Sequence, residues 1–174
     1  QHNAEELQGK RLQMSLNNEI ELFKTEVESV VERVVFISSR PPLIQNMQVT
    51  DMNGHSTAVT STLINTVQSF ALHSNSAIKM YGKSGQEWAS VGIASQQSEL
   101  AVLLAGFPRH VELIWDRRLL LRVVVDIKKK GSVIGKIMIE HPLPNPMRHL
   151  KEANLPGNTH EFLLCIPAAS AMQC

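Results

Sequence analysis

Seven histidines, two cysteines and a single tyrosine bound the chemistry open to this chain. His55, His73, His110 and His160 are scattered, and His141 and His149 flank a proline-rich turn. None forms an HxH or HExxH pair, the spacings that aim two imidazoles at one metal ion, so no metal site is expected. Cys165 and Cys174 have no CxxC spacing and no second pair to complete a four-thiolate zinc cluster. They are either unrelated thiols or one disulfide across a loop of eight residues. The chain has no GxSxG, GxxxxGK[ST] or GxGxxG motif, and Gly82 and Gly85 are too few to cradle a phosphate. Neither catalysis nor a cofactor is expected.

A second set of candidates lies where strand-like runs mix charge with apolar residues. From His110 to Trp115, alternation puts His110, Glu112 and Ile114 on one side and Val111, Leu113 and Trp115 on the other. From Leu119 to Ile127, it sets Arg122, Val124 and Asp126 against the wholly apolar Leu121, Val123 and Val125. A polar face of this kind is either solvated or lines a polar pocket. Arg122 is suited to gripping a carboxylate through two parallel hydrogen bonds. The plainer alternative is an Arg–Asp or Arg–Glu pair on an exposed sheet. Tyr81, beside a turn, either lines a pocket or packs at a strand end. Trp88 and Trp115 are expected in the core.

The elements that must position these residues begin with a helix from Ala4 to about Ser39. Leu16, Ile20, Phe23, Val27, Val30, Val34 and Ile37 recur at alternating steps of four and three, the seam of a heptad helix. Val31 and Val35 broaden the stripe toward its C-terminal end. The helix packs on its own domain, and its narrower early part is also a candidate homodimer contact. Arg40-Pro41-Pro42 ends it, because proline disfavours helical geometry in the residue before it. A short helical turn over Leu43–Met47, a loop at Asp51–Gly54 and a second helix from Ser56 or Thr57 to Leu72 follow. Ala77–Tyr81 and Glu87–Val91 form a hairpin around Lys83–Gln86. Helical character is expected over Ser98–Leu104. Strands His110–Trp115, Leu119–Ile127 and Val133–His141 come next, and links this short force antiparallel neighbours. Met147–Ala153 reads as a short helix and His160–Ile166 as a last strand, returning through Pro167–Ala171 toward Cys174.

The expected fold is α+β: a long N-terminal helix packed on a five-stranded antiparallel sheet, with a short C-terminal helix and strand extension. The divisions expected are 1–48, 49–143 and 144–174. Basic and acidic side chains number 17 and 16, a balance that argues against a nucleic-acid partner. Lys128-Lys129-Lys130 reads as a solvated hairpin tip. No apolar run approaches the roughly 20 residues of a bilayer span. The chain opens on Gln1-His2-Asn3, already inside a helical pattern, and reads as a segment of a longer protein.

Three stretches together resemble the Cache family, the PAS-like sensor modules outside the membrane in bacterial histidine kinases, chemoreceptors and cyclic-di-GMP enzymes. Val30–Pro42 resembles that family's long helix and closing bend. Tyr81–Glu87 resembles its first hairpin, and Gly131–Ile137 with Pro142-Leu143 its closing hairpin. The resemblance implies a periplasmic sensory input domain, held in the membrane by flanking helices and joined to a cytoplasmic output module. It also implies that the segment from Thr159 opens a second module or is a remnant of one. A small-molecule ligand would lie over one sheet face, beneath the segment between the second and third strands. The candidate contacts are Tyr81, His110, Glu112, Arg122 and Asp126. The several Tyr, Arg, Trp and Asp residues of amino-acid-sensing members are missing, so no amino-acid ligand is implied. The competing expectation is a structural or dimerisation module without a ligand. Outside the cytoplasm a Cys165–Cys174 disulfide would persist, and it is expected here; the alternative is a buried Cys165 with a free Cys174.

Overall fold

The computed structural model describes residues 2–53, 61, 64–65, 68, 76–95, 100–107, 109–145, 148, 165–168 and 171–173. Helix α1 runs His2–Ser38 and is followed by α2, Pro41–Asn53. The Arg40 carbonyl accepts the Ile44 amide at 3.1 Å, so Pro41 and Pro42 occupy a first helical turn whose N–H groups need no internal partner. The two prolines that stop α1 therefore start α2. The expected short turn over Leu43–Met47 and loop at Asp51–Asn53 are corrected to one continuous helix. Of the helix expected up to Leu72, residues 61, 64, 65 and 68 are helical; the rest lies outside the described residues.

Strands β1 (Ala77–Gly82), β2 (Glu87–Val91), β3 (Leu100–Leu103), β4 (His110–Trp115), β5 (Leu119–Lys129) and β6 (Ser132–Pro142) form one antiparallel sheet. Their order is β2-β1-β6-β5-β4-β3. The sheet has six strands where five were expected, because Leu100–Leu103 pairs with β4 instead of coiling into a helix. A four-residue apolar run carries too little periodicity to separate the two states. The Leu104 amide extends that ladder to the Val111 carbonyl at 2.8 Å.

The hairpin between β5 and β6 turns on two residues only. Lys130 and Gly131 both take left-handed φ, 49° and 84°, the geometry that matches strand twist in a tight hairpin. Lys128 and Lys129 belong to β5, and Lys129 Nζ donates to Gln48 Oε1 of α2 at 2.5 Å. The basic run is thus partly anchored, not wholly a solvated tip. Lys128 pairs with Val133 but Ile127 with Gly135, so Ile134 is an extra residue, a bulge.

One face of the sheet is apolar. Ile78, Met80, Leu121, Val123, Val125, Ile127, Ile137 and Ile139 are all buried on it. Helix α2 lies against β5 and β6 and buries Leu43 and Met47, one turn apart. Gly135 permits the close approach: a Cβ there would collide with Met47 and would stand 2.5 Å from the Tyr81 carbonyl oxygen. On α1, Val27, Val30, Val31, Val34 and Ile37 are buried, as the broadening stripe requires, while Leu16 and Ile20 are exposed. Trp88 is buried against Gly82, and Trp115 is half-buried.

By its contacts the chain divides into two units, Val30–Pro142 and Gln1–Ser29 with Leu143–Cys174. The second holds a two-stranded antiparallel pair, β7 (Ile166–Ala168) and β8 (Ala171–Gln173). Pro167 lies inside β7, so the strand expected to finish at Ile166 starts there instead; its expected residues 160–164 lie outside the described residues. Residues 144, 145 and 148 are helical, and the remainder of the helix expected over Met147–Ala153 also lies outside them. Among the described residues no helix is long and apolar enough to cross a membrane.

Candidate functional site

The second face of the sheet carries an ion cluster set by strand register. Glu112 of β4 stands opposite Arg122 of β5, which stands opposite Glu140 of β6. Arg122 Nε and Nη2 donate to Glu140 Oε1 at 2.8 and 2.6 Å. Its Nη1 donates to Glu112 Oε2 at 3.3 Å, and His110 Nε2 lies 2.9 Å from Glu112 Oε1. The guanidinium is therefore claimed on two sides by carboxylates. Glu140 is only 2% exposed, where a carboxylate without a partner would be strongly disfavoured, and Arg122 supplies that partner.

The connector from β2 to β3 is tied to the same group. The Ser95 amide donates to Glu140 Oε2 at 2.6 Å, which brings this segment onto the polar face of the sheet. Its hydroxyl is buried and has no hydrogen-bond partner among the described residues. The connector leaves β2 at Gly92, whose φ is +77° and where a Cβ would stand 2.5 Å from the Ser76 carbonyl oxygen. Only glycine fits that departure.

Of the residues named from the sequence, the structure brings His110, Glu112 and Arg122 together. Tyr81 and Asp126 share their face but stand across from Lys136, away from the cluster. Glu140 and Ser95 are the members that sequence reading missed. A lone carboxylate directly after the apolar Ile137-Met138-Ile139 was the available signal for Glu140; a backbone amide leaves none for Ser95. The cluster holds two carboxylates and one guanidinium, so it is one acidic group in excess while His110 is neutral. Arg122 already has carboxylate partners inside the protein, which removes the rationale for a ligand carboxylate there.

At the edge of the same face Lys79 Nζ donates to Glu87 Oε2 at 3.0 Å. That hydrogen bond raises the Lys79 pKa above its ordinary 10.5, with burial opposing the shift. A raised folded-state pKa means that the stabilisation is complete below the unfolded value and is lost as pH climbs through the folded one. Lys79→Met is expected to cost no more than a few tenths of a kcal/mol at neutral pH, as for other solvent-screened pairs. Urea unfolding of both proteins should show that difference vanishing above pH 10.5; a difference that grew with pH would contradict the assignment.

On the apolar face, Ser76 Oγ lies 3.0 Å from His141 Nδ1, and both residues are buried. A hydroxyl beside an imidazole is the start of a nucleophile–base pair, but this one is enclosed among core side chains. In the unit containing Gln1–Ser29, an open groove of about 450 Å³ is lined by Glu19, Phe23, Glu26, Asn145 and Arg148, among others. Asn145 Nδ2 donates to Glu26 Oε1 within it at 3.4 Å. Among the described residues no group of three or more His, Cys, Asp or Glu is placed to hold a metal ion. Cys165 is disulfide-bonded. It precedes Ile166, whose register partner Gln173 precedes Cys174; Cys174 itself lies outside the described residues.

No family model matches the chain, and no curated protein matches it.

Proposed function

We propose that this chain is the extracytoplasmic sensory input domain of a membrane-anchored bacterial signalling protein, PAS-like and of Cache type. It binds a small ligand and passes a movement to a cytoplasmic output module, with no catalysis of its own. The observation that carries the reading is Ser95: its amide is held by buried Glu140 and its buried hydroxyl has no partner among the described residues. A sealed, unsatisfied hydroxyl costs free energy unless something bonds to it. It sits on the connector after the second strand, the region under which the Cache resemblance puts the ligand. Two further features favour the reading: the long helix that bends at Arg40 before the sheet, and the disulfide at Cys165, which suits an oxidising compartment.

The excess carboxylate at Glu112 and Glu140 selects the ligand class. An amine offers donors and no acceptor, and its positive charge offsets the surplus negative one. A thermal-shift screen of the intact chain with small amines, carboxylates and sugars tests this. An amine at 100 times its dissociation constant stabilises the folded state by about 2.7 kcal/mol, a clear rise in melting temperature. A screen in which only carboxylates act, or in which nothing acts, would sink the reading.

A further inference from the structure

On the polar face of the sheet, charge and apolar surface fall in separate rows across the strands. Glu112, Arg122 and Glu140 make one row. The next row toward the Lys130–Gly131 turn is His110, Val124, Met138 and Lys79. Val124 and Met138 are both half-buried, so each keeps apolar surface open beside the charged row. They occupy neighbouring strands, roughly 5 Å apart. Past them the charges balance: Lys79 is bonded to Glu87, and Lys136 stands opposite Asp126. The surplus carboxylate is therefore confined to the first row, and an apolar strip separates it from a neutral end.

Resting on the amine-binding reading, we propose that the ligand is a primary monoamine with an apolar body. Its ammonium sits on Glu112 and its carbon chain lies across Val124 and Met138. An ammonium donates three hydrogen bonds and accepts none, and a carboxylate has about four lone-pair sites. Arg122 takes one oxygen of Glu112 and His110 the other, which leaves lone pairs on both for the ligand. The apolar strip then covers the chain on one side, and burial there adds affinity in proportion to its length. A second ammonium at the far end of the ligand would meet Glu87 and Asp126, which Lys79 and Lys136 already offset. It would shed water over Met138 without a surplus charge in return. The site therefore favours monoamines with a hydrocarbon body over diamines and over short, fully hydrated amines.

Calorimetric titration of the intact chain with ethylamine, butylamine and hexylamine is the test. Each added pair of methylenes should tighten binding about fourfold, half the effect of full burial because one side of the chain stays in water. Diaminobutane should bind no more tightly than butylamine. Val124→Thr and Met138→Gln roughly keep side-chain size and should flatten the series, with ethylamine bound as by wild type. Leu103, opposite Glu112 on the edge strand, is 61% exposed, and Leu103→Ser should leave the series steep. Urea unfolding checks that each variant folds. An affinity independent of chain length, a preference for the diamine, or a series flattened only by Leu103→Ser would overturn this inference and leave an amine site standing. Binding of no amine at all would overturn the amine-binding reading and this inference with it.

Discussion

Arg122→Ala is expected to destabilise the protein by about 3 kcal/mol, the low end for removing one partner of a buried ion pair. Glu140 remains behind, 2% exposed, with the Ser95 amide as the one remaining donor to its side chain among the described residues. Two bonds from Arg122, at 2.8 and 2.6 Å, disappear together. The double substitution Arg122→Met/Glu140→Leu removes both charges and keeps apolar volume; it should recover more than half of the loss, because neither ion is then stranded. Urea unfolding of wild type and both variants decides the matter. A single variant costing under about 0.5 kcal/mol would place the pair with weak surface bridges and contradict its central position.

Gly92→Ala is expected to cost about 3 kcal/mol, from two sources. A left-handed φ disfavours any residue with a Cβ by roughly 1–2 kcal/mol. Here the new methyl would also press on a backbone carbonyl, Ser76 O at 2.5 Å, which cannot swing aside as a side-chain end would. Gly85 separates the two contributions. Its φ of +83° is similar, but nothing lies within 4 Å of a Cβ, so Gly85→Ala should cost only about 1 kcal/mol. The Gly92 variant should also expose the Ser95 amide to faster hydrogen exchange, since the connector must shift off Glu140. Equal costs at the two glycines, or an unchanged Ser95 exchange rate, would show that the connector is not seated on the sheet in this way.

Much of this arrangement could be read from residues, and the parts that could not have definable physical causes. Alternation alone separates Arg122 and Val124 from Leu121, Val123 and Val125, because the period of a strand is two whatever lies beside it. The short links after Trp115 and Lys129 dictate antiparallel neighbours. Glu140 was hidden by the bulge. Counting outward from the Lys130–Gly131 turn with unbroken pairing sets Arg122 opposite Ile139; the extra residue at Ile134 moves Glu140 into that place. A bulge of this kind is decided by packing and leaves no clear mark in composition. Pro41-Pro42 was legible as a stop but not as a start, since proline suits both the residue after one helix and the first turn of the next. β3 failed for a third reason: four apolar residues fit a strand edge and a helical turn equally well.

If the surplus carboxylate of the polar face meets a cationic ligand, calorimetric titration is the measurement that shows it most directly. The intact chain and Glu112→Gln would each be titrated with the amine that raises the melting temperature most. Glu112 is partly exposed and not the buried anchor, so its amide variant should fold. Loss of one charge-assisted contact predicts binding weaker by about tenfold or more in Glu112→Gln. Equal affinity for the two proteins, or a carboxylate that binds wild type more tightly than any amine, would contradict it.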